Sequence, residues 1–206
     1  CSSTDFEEIT ITIDQAPNAT ISSLGAVCAE EPYTATTVNS DGNTIAWTEI
    51  NGNHGTFVNA NSDTATFNQF PGNQADFEIQ LTSTTTLTCT PYIQTLVVVV
   101  QPKPTVDVVD SVQEVCSSEP FIISGVTATG NASILWTVDG TGSSVGFSNP
   151  TELNPTFTPS ATQLIAGQVV LKVTALATTE CGTAFDVSDT ITLNFDPEQT
   201  VSFTAP

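Results

Sequence analysis

The chain repeats itself once, and this constrains its fold more than any other feature. Cys28-Ala-Glu-Glu-Pro32-Tyr33 returns 88 residues later as Cys116-Ser-Ser-Glu-Pro120-Phe121. Trp47-Thr48 returns after 89 residues as Trp136-Thr137, Phe67 after 90 as Phe157, and Cys89 after 92 as Cys181. Offsets that drift slowly in a fixed order belong to one fold made twice, with small differences in loop length. Both tryptophans and four of the five cysteines fall into this register. Each half must therefore enclose its own core in roughly 90 residues, enough for one small domain.

The ends extend the pattern. Cys89 is followed by Leu96-Val-Val-Val-Val100, Cys181 by Thr190-Ile-Thr-Leu-Asn-Phe195, and Cys1 by Ile9-Thr-Ile-Thr-Ile13. Residues 1–16 thus read as the last strand of a preceding repeat, and residues 199–206 as the first strand of a following one. Two complete repeats occupy 17–102 and 103–198. The expectation is an excerpt of a longer tandem array. Its joints are short and carry proline, at Pro17, at Pro102 and Pro104, and at Pro197. Proline stiffens such joints and cannot extend a strand ladder.

Within the second repeat, runs of period two predict strands at 105–109, 121–124, 134–138, 145–147, 156–158, 169–175 and 187–195. Turn residues divide them: Gly130-Asn131, Asp139-Gly140, Asn149-Pro150, Asn154-Pro155 and Ala166-Gly167. In the first repeat Asp41-Gly42, Asn51-Gly52 and Pro71-Gly72 do the same. Threonine, at 36 positions, is the commonest residue, and with Val, Ile and Phe it favours strands. Only residues 160–165 offer a helical turn. The prediction is an all-β chain of antiparallel sandwiches with Trp47 and Trp136 at the core centres.

Charge removes several function classes. The chain has 22 acidic residues against two lysines and no arginine, a formal net charge of -20. Nucleic-acid binding needs cations to displace counterions from phosphate, and a membrane-surface patch needs a basic cluster. Neither is available, so no nucleic acid is expected as a partner. No apolar run reaches the roughly 18 residues of a membrane helix, and no direct membrane insertion is expected. Catalysis is not expected either. A single histidine, His54, cannot supply a Ser/His/Asp set to both repeats, and no carboxylate pair recurs in a glycosidase-like context. His54, in Asn51-Gly-Asn-His-Gly55, reads as a solvated turn residue. No cofactor is expected. Calcium is the one candidate, through Asp107 with Asp110 and Asp186 with Asp189, although no calcium-binding motif is present.

The order of these features resembles the PKD-like, immunoglobulin-like tandem repeats of giant cell-surface adhesins of gliding Bacteroidota. The second repeat carries the resemblance most fully: Pro104-Thr-Val106, Cys116-Ser-Ser-Glu119, Ser124-Gly125, Trp136-Thr137, Asn154-Pro-Thr-Phe-Thr-Pro159, Val169-Val-Leu-Lys-Val-Thr174, Cys181-Gly182 and Thr190-Ile-Thr-Leu193. The first repeat departs from it, with Thr64-Ala-Thr-Phe67 in place of the Asn-Pro-Thr-Phe run. The resemblance implies sandwiches arranged end to end, type IX secretion and display at the bacterial cell surface. It identifies no ligand.

Such a topology bears on the cysteines. The first strand of an immunoglobulin-like unit runs its full length, and the 12 residues from Pro104 to Cys116 span nearly 40 Å at about 3.3 Å each. Cys116 then lies at the far end and Cys181, in the last turn, at the near end. A disulfide needs Cα atoms within about 7 Å. This favours an inter-repeat bond between Cys28 and Cys181, with Cys1, Cys89 and Cys116 paired outside the chain. Two intradomain bonds, Cys28–Cys89 and Cys116–Cys181, are the alternative, and free thiols a third reading. Cys1, followed by Ser2-Ser3, also matches the start of a mature bacterial lipoprotein. Metal binding by such isolated cysteines is not expected.

The resembled phylum O-glycosylates Asp-(Ser/Thr)-apolar sites, which makes Thr64, Ser111 and Thr190 candidates. Sequons at Asn18 and Asn131 matter only in a host that uses them. The functional expectation is a structural shaft segment of a large surface adhesin, serving attachment and gliding. Its partners would be neighbouring repeats and a surface polysaccharide or protein that the sequence does not identify. The alternatives are a glycan- or protein-binding module and a non-catalytic appendage of a secreted hydrolase.

Overall fold

A computed structural model describes residues 7–13, 15–39, 41–86, 89–116 and 119–196. Cys1 and the expected strand over 199–206 lie outside them. The chain divides into two compact units, 1–100 and 101–206.

In the first unit the strands are β1 (Thr20–Ile21), β2 (Ala26–Cys28), β3 (Tyr33–Val38), β4 (Thr44–Glu49), β5 (Gly55–Val58), β6 (Thr64–Gln69), β7 (Phe77–Thr84) and β8 (Tyr92–Gln101). They form two four-stranded sheets, ordered β1-β3-β6-β5 and β2-β8-β7-β4. The alternation that builds a half-buried strand is clearest in β7. Phe77, Ile79, Leu81 and Ser83 face inward and are buried, while Glu78, Gln80, Thr82 and Thr84 are half-buried on the other side. Side chains from both sheets merge into one core around Trp47, Phe67, Phe77, Ile79 and Leu81. Ile9, Ile11 and Ile13, before the first strand, are exposed and lie outside any strand.

The second unit has β9 (Thr105–Val108), β10 (Val112–Cys116), β11 (Phe121–Ile122), β12 (Val126–Thr129), β13 (Ser133–Val138), β14 (Thr156–Phe157), β15 (Gln168–Leu176) and β16 (Val187–Asp196). One sheet is β10-β16-β15-β13; the opposite side consists of the pairs β12-β9 and β11-β14. Its core gathers Trp136, Phe157, Leu171, Val173, Ile191 and Leu193. A six-residue helix, α1 (Ala161–Ala166), precedes β15. Ser160 starts it through a capping box with Gln163, and Gly167, at φ 76°, ends it.

Four strand expectations need correction. The sheets are not wholly antiparallel: β10 runs parallel to β16, with Val112 opposite Thr192 and Cys116 opposite Asp196. The first strand breaks after Val108 and changes sheet, so β9 pairs with β12 and β10 with β16. The 145–147 segment is not a strand. Gly146 adopts φ 102°, and only an isolated bridge joins Phe147 to Phe157. The strand expected over 121–124 ends at Ile122 as β11, and the unexpected β12 begins after Gly125, whose φ of 73° few other residues adopt.

Candidate functional site

The residues that the repeat singled out fall into two groups, one central and one at the ends of the units. The central group is an aromatic stack made twice. In the first unit the Trp47 ring stacks on Phe57 at 6.3 Å between centroids and 27° between planes, and Phe57 meets Phe67 at 5.0 Å and 58°. In the second, Trp136 meets Phe147 at 5.8 Å and 32°, and Phe147 meets Phe157 at 4.9 Å and 55°. Trp47 and Trp136 are buried, and each backbone N–H donates across a loop at 2.8 Å, to Ala60 O and to Pro150 O. The middle aromatic, Phe57 or Phe147, was missed in the sequence. It recurs at an offset of 90, the same as Phe67 and Phe157, and that spacing is the signal that could have found it.

The end group is the cysteines. Cys28 closes β2 and is buried. Its carbonyl accepts from Glu31 N at 3.2 Å and from the Gln69 side-chain amide at 2.9 Å, which pins the turn. Cys116 closes β10 with the same turn, accepting from Glu119 N at 3.4 Å, but it is exposed. Cys181 is buried, and its Sγ lies 3.7 Å from Gln101 O and 3.9 Å from Pro102 O, at the start of the second unit. Lys103, beside it in sequence, sits 4.9 Å over the Phe185 ring. Cys116 lies opposite Asp196 at the last residue of β16, whereas Cys181 precedes that ten-residue strand. The two are therefore about 30 Å apart at the usual rise per residue, far beyond disulfide reach.

The chemical states agree with this geometry. Cys28 and Cys181 are disulfide-bonded. Cys89, half-buried three residues before β8, and Cys116 carry free thiols. The two intradomain bonds of the alternative reading are therefore absent, because each would require Cys89 or Cys116. Cys1 lies outside the described residues.

The remaining candidates are scattered. Thr64, at the start of β6, and Ser111, just before β10, are exposed; Thr190 is half-buried within β16 opposite Lys172. Asn18 is exposed and Asn131 half-buried. Of the four aspartates considered for calcium, Asp186 and Asp189 are engaged with backbone. Asp189 accepts from Val108 N and Thr190 N, each at 2.8 Å, and Asp186 accepts from Ala177 N at 2.8 Å. Among the described residues no three or more His, Cys, Asp or Glu side chains cluster as metal ligands would.

His54 is not a free turn residue. Its Nδ1 lies 2.5 Å from Glu49 Oε1, its backbone N–H donates to the same carboxylate, and its ring is 6.5 Å from that of Phe77. Glu49, at the end of β4, thereby ties down the 50–55 loop.

Comparison with known proteins gives the fold. No family model matches the chain, and no curated protein matches it. Among solved structures, the three-domain segment I67–I69 of titin, in an E-to-A variant, superposes with a TM-score of 0.52 at 13% identity. The match covers 88% of this chain and 66% of that one. The first two extracellular repeats of human protocadherin-24 give 0.42 at 11% identity, covering 88% of this chain and 98% of theirs. At these identities the likeness to titin concerns fold alone: the chain shares the immunoglobulin-like β-sandwich.

Proposed function

We propose that the chain is a shaft segment of a large bacterial cell-surface adhesin, serving surface attachment and gliding, with its sandwich repeats stacked end to end and tied covalently at the junction. The observation that carries this reading is the state of the cysteines. In the second unit Cys116 and Cys181 lie toward opposite ends of β16, too far apart to bond to each other. Cys28 and Cys181 are nevertheless bonded, while Cys89 and Cys116 are free. The reading assigns a Cys28–Cys181 bond across the two repeats, and assigns Cys89, Cys116 and Cys1 partners in repeats outside this chain.

Other features support it. Disulfides persist in oxidising surroundings, as at a cell exterior. The net charge of -20 keeps a long polymer soluble and repels its neighbours along its length. The recurring tryptophans are buried and so supply no aromatic platform for a sugar. The chain acts as a non-catalytic spacer, without nucleic acid or membrane as partner.

Deleting residues 17–198 from the parent protein tests the reading. A shaft predicts a shorter surface projection, by electron microscopy of labelled cells, with ligand binding retained. Loss of binding with projection length unchanged would make the segment an adhesive module instead.

A further inference from the structure

We infer that the second unit holds a binding site for one neutral pyranose ring, in the cavity between the 139–146 loop and the start of α1. The inference is independent of the shaft reading, since one weak sugar contact leaves a spacer a spacer.

The repeat shows what the fold admits at this place. In the first unit the position is filled from within. The His54 side chain turns against the Glu49 carboxylate, with its ring 6.5 Å from that of Phe77. In the second unit Val138 stands where Glu49 stands, each ending its strand two residues after the tryptophan. Val145 stands where His54 stands, each preceding the glycine that lies against Phe67 or Phe157. Val145 is instead 82% exposed. Neither valine fills the space, and a cavity of about 270 Å³ remains. Sites for drug-sized ligands start at about 300 Å³, so this one suits a single ring.

The lining sets the chemistry. Val138, Val145 and Gly146 supply apolar surface, and Thr141, Ser143, Thr158, Ser160 and Gln163 supply hydroxyls and one amide; no charged side chain takes part. The walls are held by their own bonds. Val138 N donates to Ser143 O at 2.7 Å, and Thr141 Oγ1 donates to Val138 O at 3.0 Å, which closes the loop. Gln163 Oε1 accepts from Ser160 N at 2.7 Å and from Ser160 Oγ at 3.0 Å, which fixes the amide. Ser143 Oγ accepts from Val145 N at 3.2 Å. Among the described residues this leaves three groups with hydrogen-bonding capacity to spare: the Ser143 hydroxyl proton, the Thr158 hydroxyl and Gln163 Nε2.

A pyranose matches this set. Its C–H face lies on the valines, and its hydroxyls donate and accept as the lining does. An anion would meet no cation here and the repulsion of a net charge of -20. A wholly apolar ring would cover the Ser143 and Gln163 donors without pairing them, at a desolvation cost. For a ring of about a dozen non-hydrogen atoms in one small cavity, the expected Kd is about millimolar.

The test titrates the full chain, labelled with nitrogen-15, with the methyl pyranosides of glucose, galactose and mannose, each to about ten times a millimolar Kd. At least one should shift the Gly146 amide and the Gln163 side-chain amide signals with a Kd of about millimolar. Glucuronate and phenol at the same concentration should shift neither. Gln163→Glu keeps the capping box, where Glu serves as well as Gln, but replaces the amide donors. Thr158→Val keeps the side-chain shape and removes the hydroxyl. Each should weaken the sugar about fivefold, the worth of one hydrogen bond, with the melting temperature unchanged. The two variants lie on different segments, so if one fails to fold the other decides. The inference is overturned if no sugar moves these signals, if the shifts map elsewhere, if glucuronate or phenol binds as tightly as the best sugar, or if the folded variants bind it as well as the native chain.

Discussion

Trp47 and Trp136 occupy the same place in the two units but differ in one hydrogen bond. Trp47 Nε1 donates to Ser62 O at 3.1 Å, whereas Trp136 Nε1 is buried without a partner. Truncating either ring to alanine should cost its own unit about 3–5 kcal/mol, since a large buried ring leaves a cavity. Phenylalanine separates the two sites. Trp47→Phe loses packing and a hydrogen bond, while Trp136→Phe loses packing but removes an unsatisfied N–H, so the first should cost about 1 kcal/mol more. Hydrogen exchange read unit by unit measures this difference, and equal costs would mean that the Trp47 bond contributes nothing.

Tyr33 makes the stability of the first unit depend on alkaline pH. Burial raises its phenol above the ordinary value of 10.0, and the hydrogen bond with Ser23 acts weakly in the opposite direction. The same hydroxyl donates to Leu24 O at 2.6 Å. In the unfolded chain the proton leaves near the ordinary value; in the folded unit it stays bound to higher pH. The contribution is therefore complete below pH 10 and is lost as pH rises through the folded value. Urea midpoints above pH 10 should fall for the native chain, and Tyr33→Phe should flatten that decline.

Much of the residue-scale picture was legible, because the chain states it twice. The tryptophans, Phe67 with Phe157 and the cysteine positions all stand in register. His54 was not legible. It has no counterpart in the second repeat, and nothing in sequence shows that Glu49, five residues earlier, reaches back across the loop to hold it.

Elements were read well where apolar residues alternate over a long run, as in β15 and β16, and poorly where they do not. In β10 the apolar residues Val112 and Val115 are three apart, which is not a strand period, and the strand exists because β16 offers a parallel edge. The 145–147 segment alternates, yet glycine geometry overrides the pattern. Gly55 and Gly146 lie against the rings of Phe67 and Phe157. A Cβ on Gly55 would sit 2.3 Å from Asn68 O and 2.7 Å from the Phe67 ring; one on Gly146 would sit 2.8 Å from both Thr158 O and the Phe157 ring. Each glycine thus lets the backbone close over its phenylalanine and seat the middle aromatic of the stack. Gly55→Ala should destabilise the first unit by about 1–3 kcal/mol through overpacking. Gly146→Ala should cost the second unit about 1 kcal/mol or more beyond that, because its φ is positive. Thermal melts of the two variants should show these losses, and an unchanged Gly146→Ala melt would mean that the loop shifts freely.

At the scale of the whole chain, the proposed Cys28–Cys181 bond would close a loop of about 150 residues, for which chain entropy gives a stabilisation of about 5 kcal/mol. That stabilisation acts only on a state in which the enclosed chain is unfolded. It does not strengthen the aromatic core of either unit, where Trp47 and Trp136 are buried among neighbours of their own unit. Reduction should therefore change two measurements unequally. The native fluorescence of Trp47 and Trp136 should persist after reduction, since each ring is packed by its own unit. The distribution of distances between labels on the two units, by pulsed dipolar spectroscopy, should broaden markedly, because the proposed covalent tie would be gone. Cys28→Ser should reproduce the broadening without reductant. If the native fluorescence is lost while the distances stay narrow, the bond is a determinant of folding rather than a tie between rigid segments, and a force-bearing shaft loses its mechanical basis.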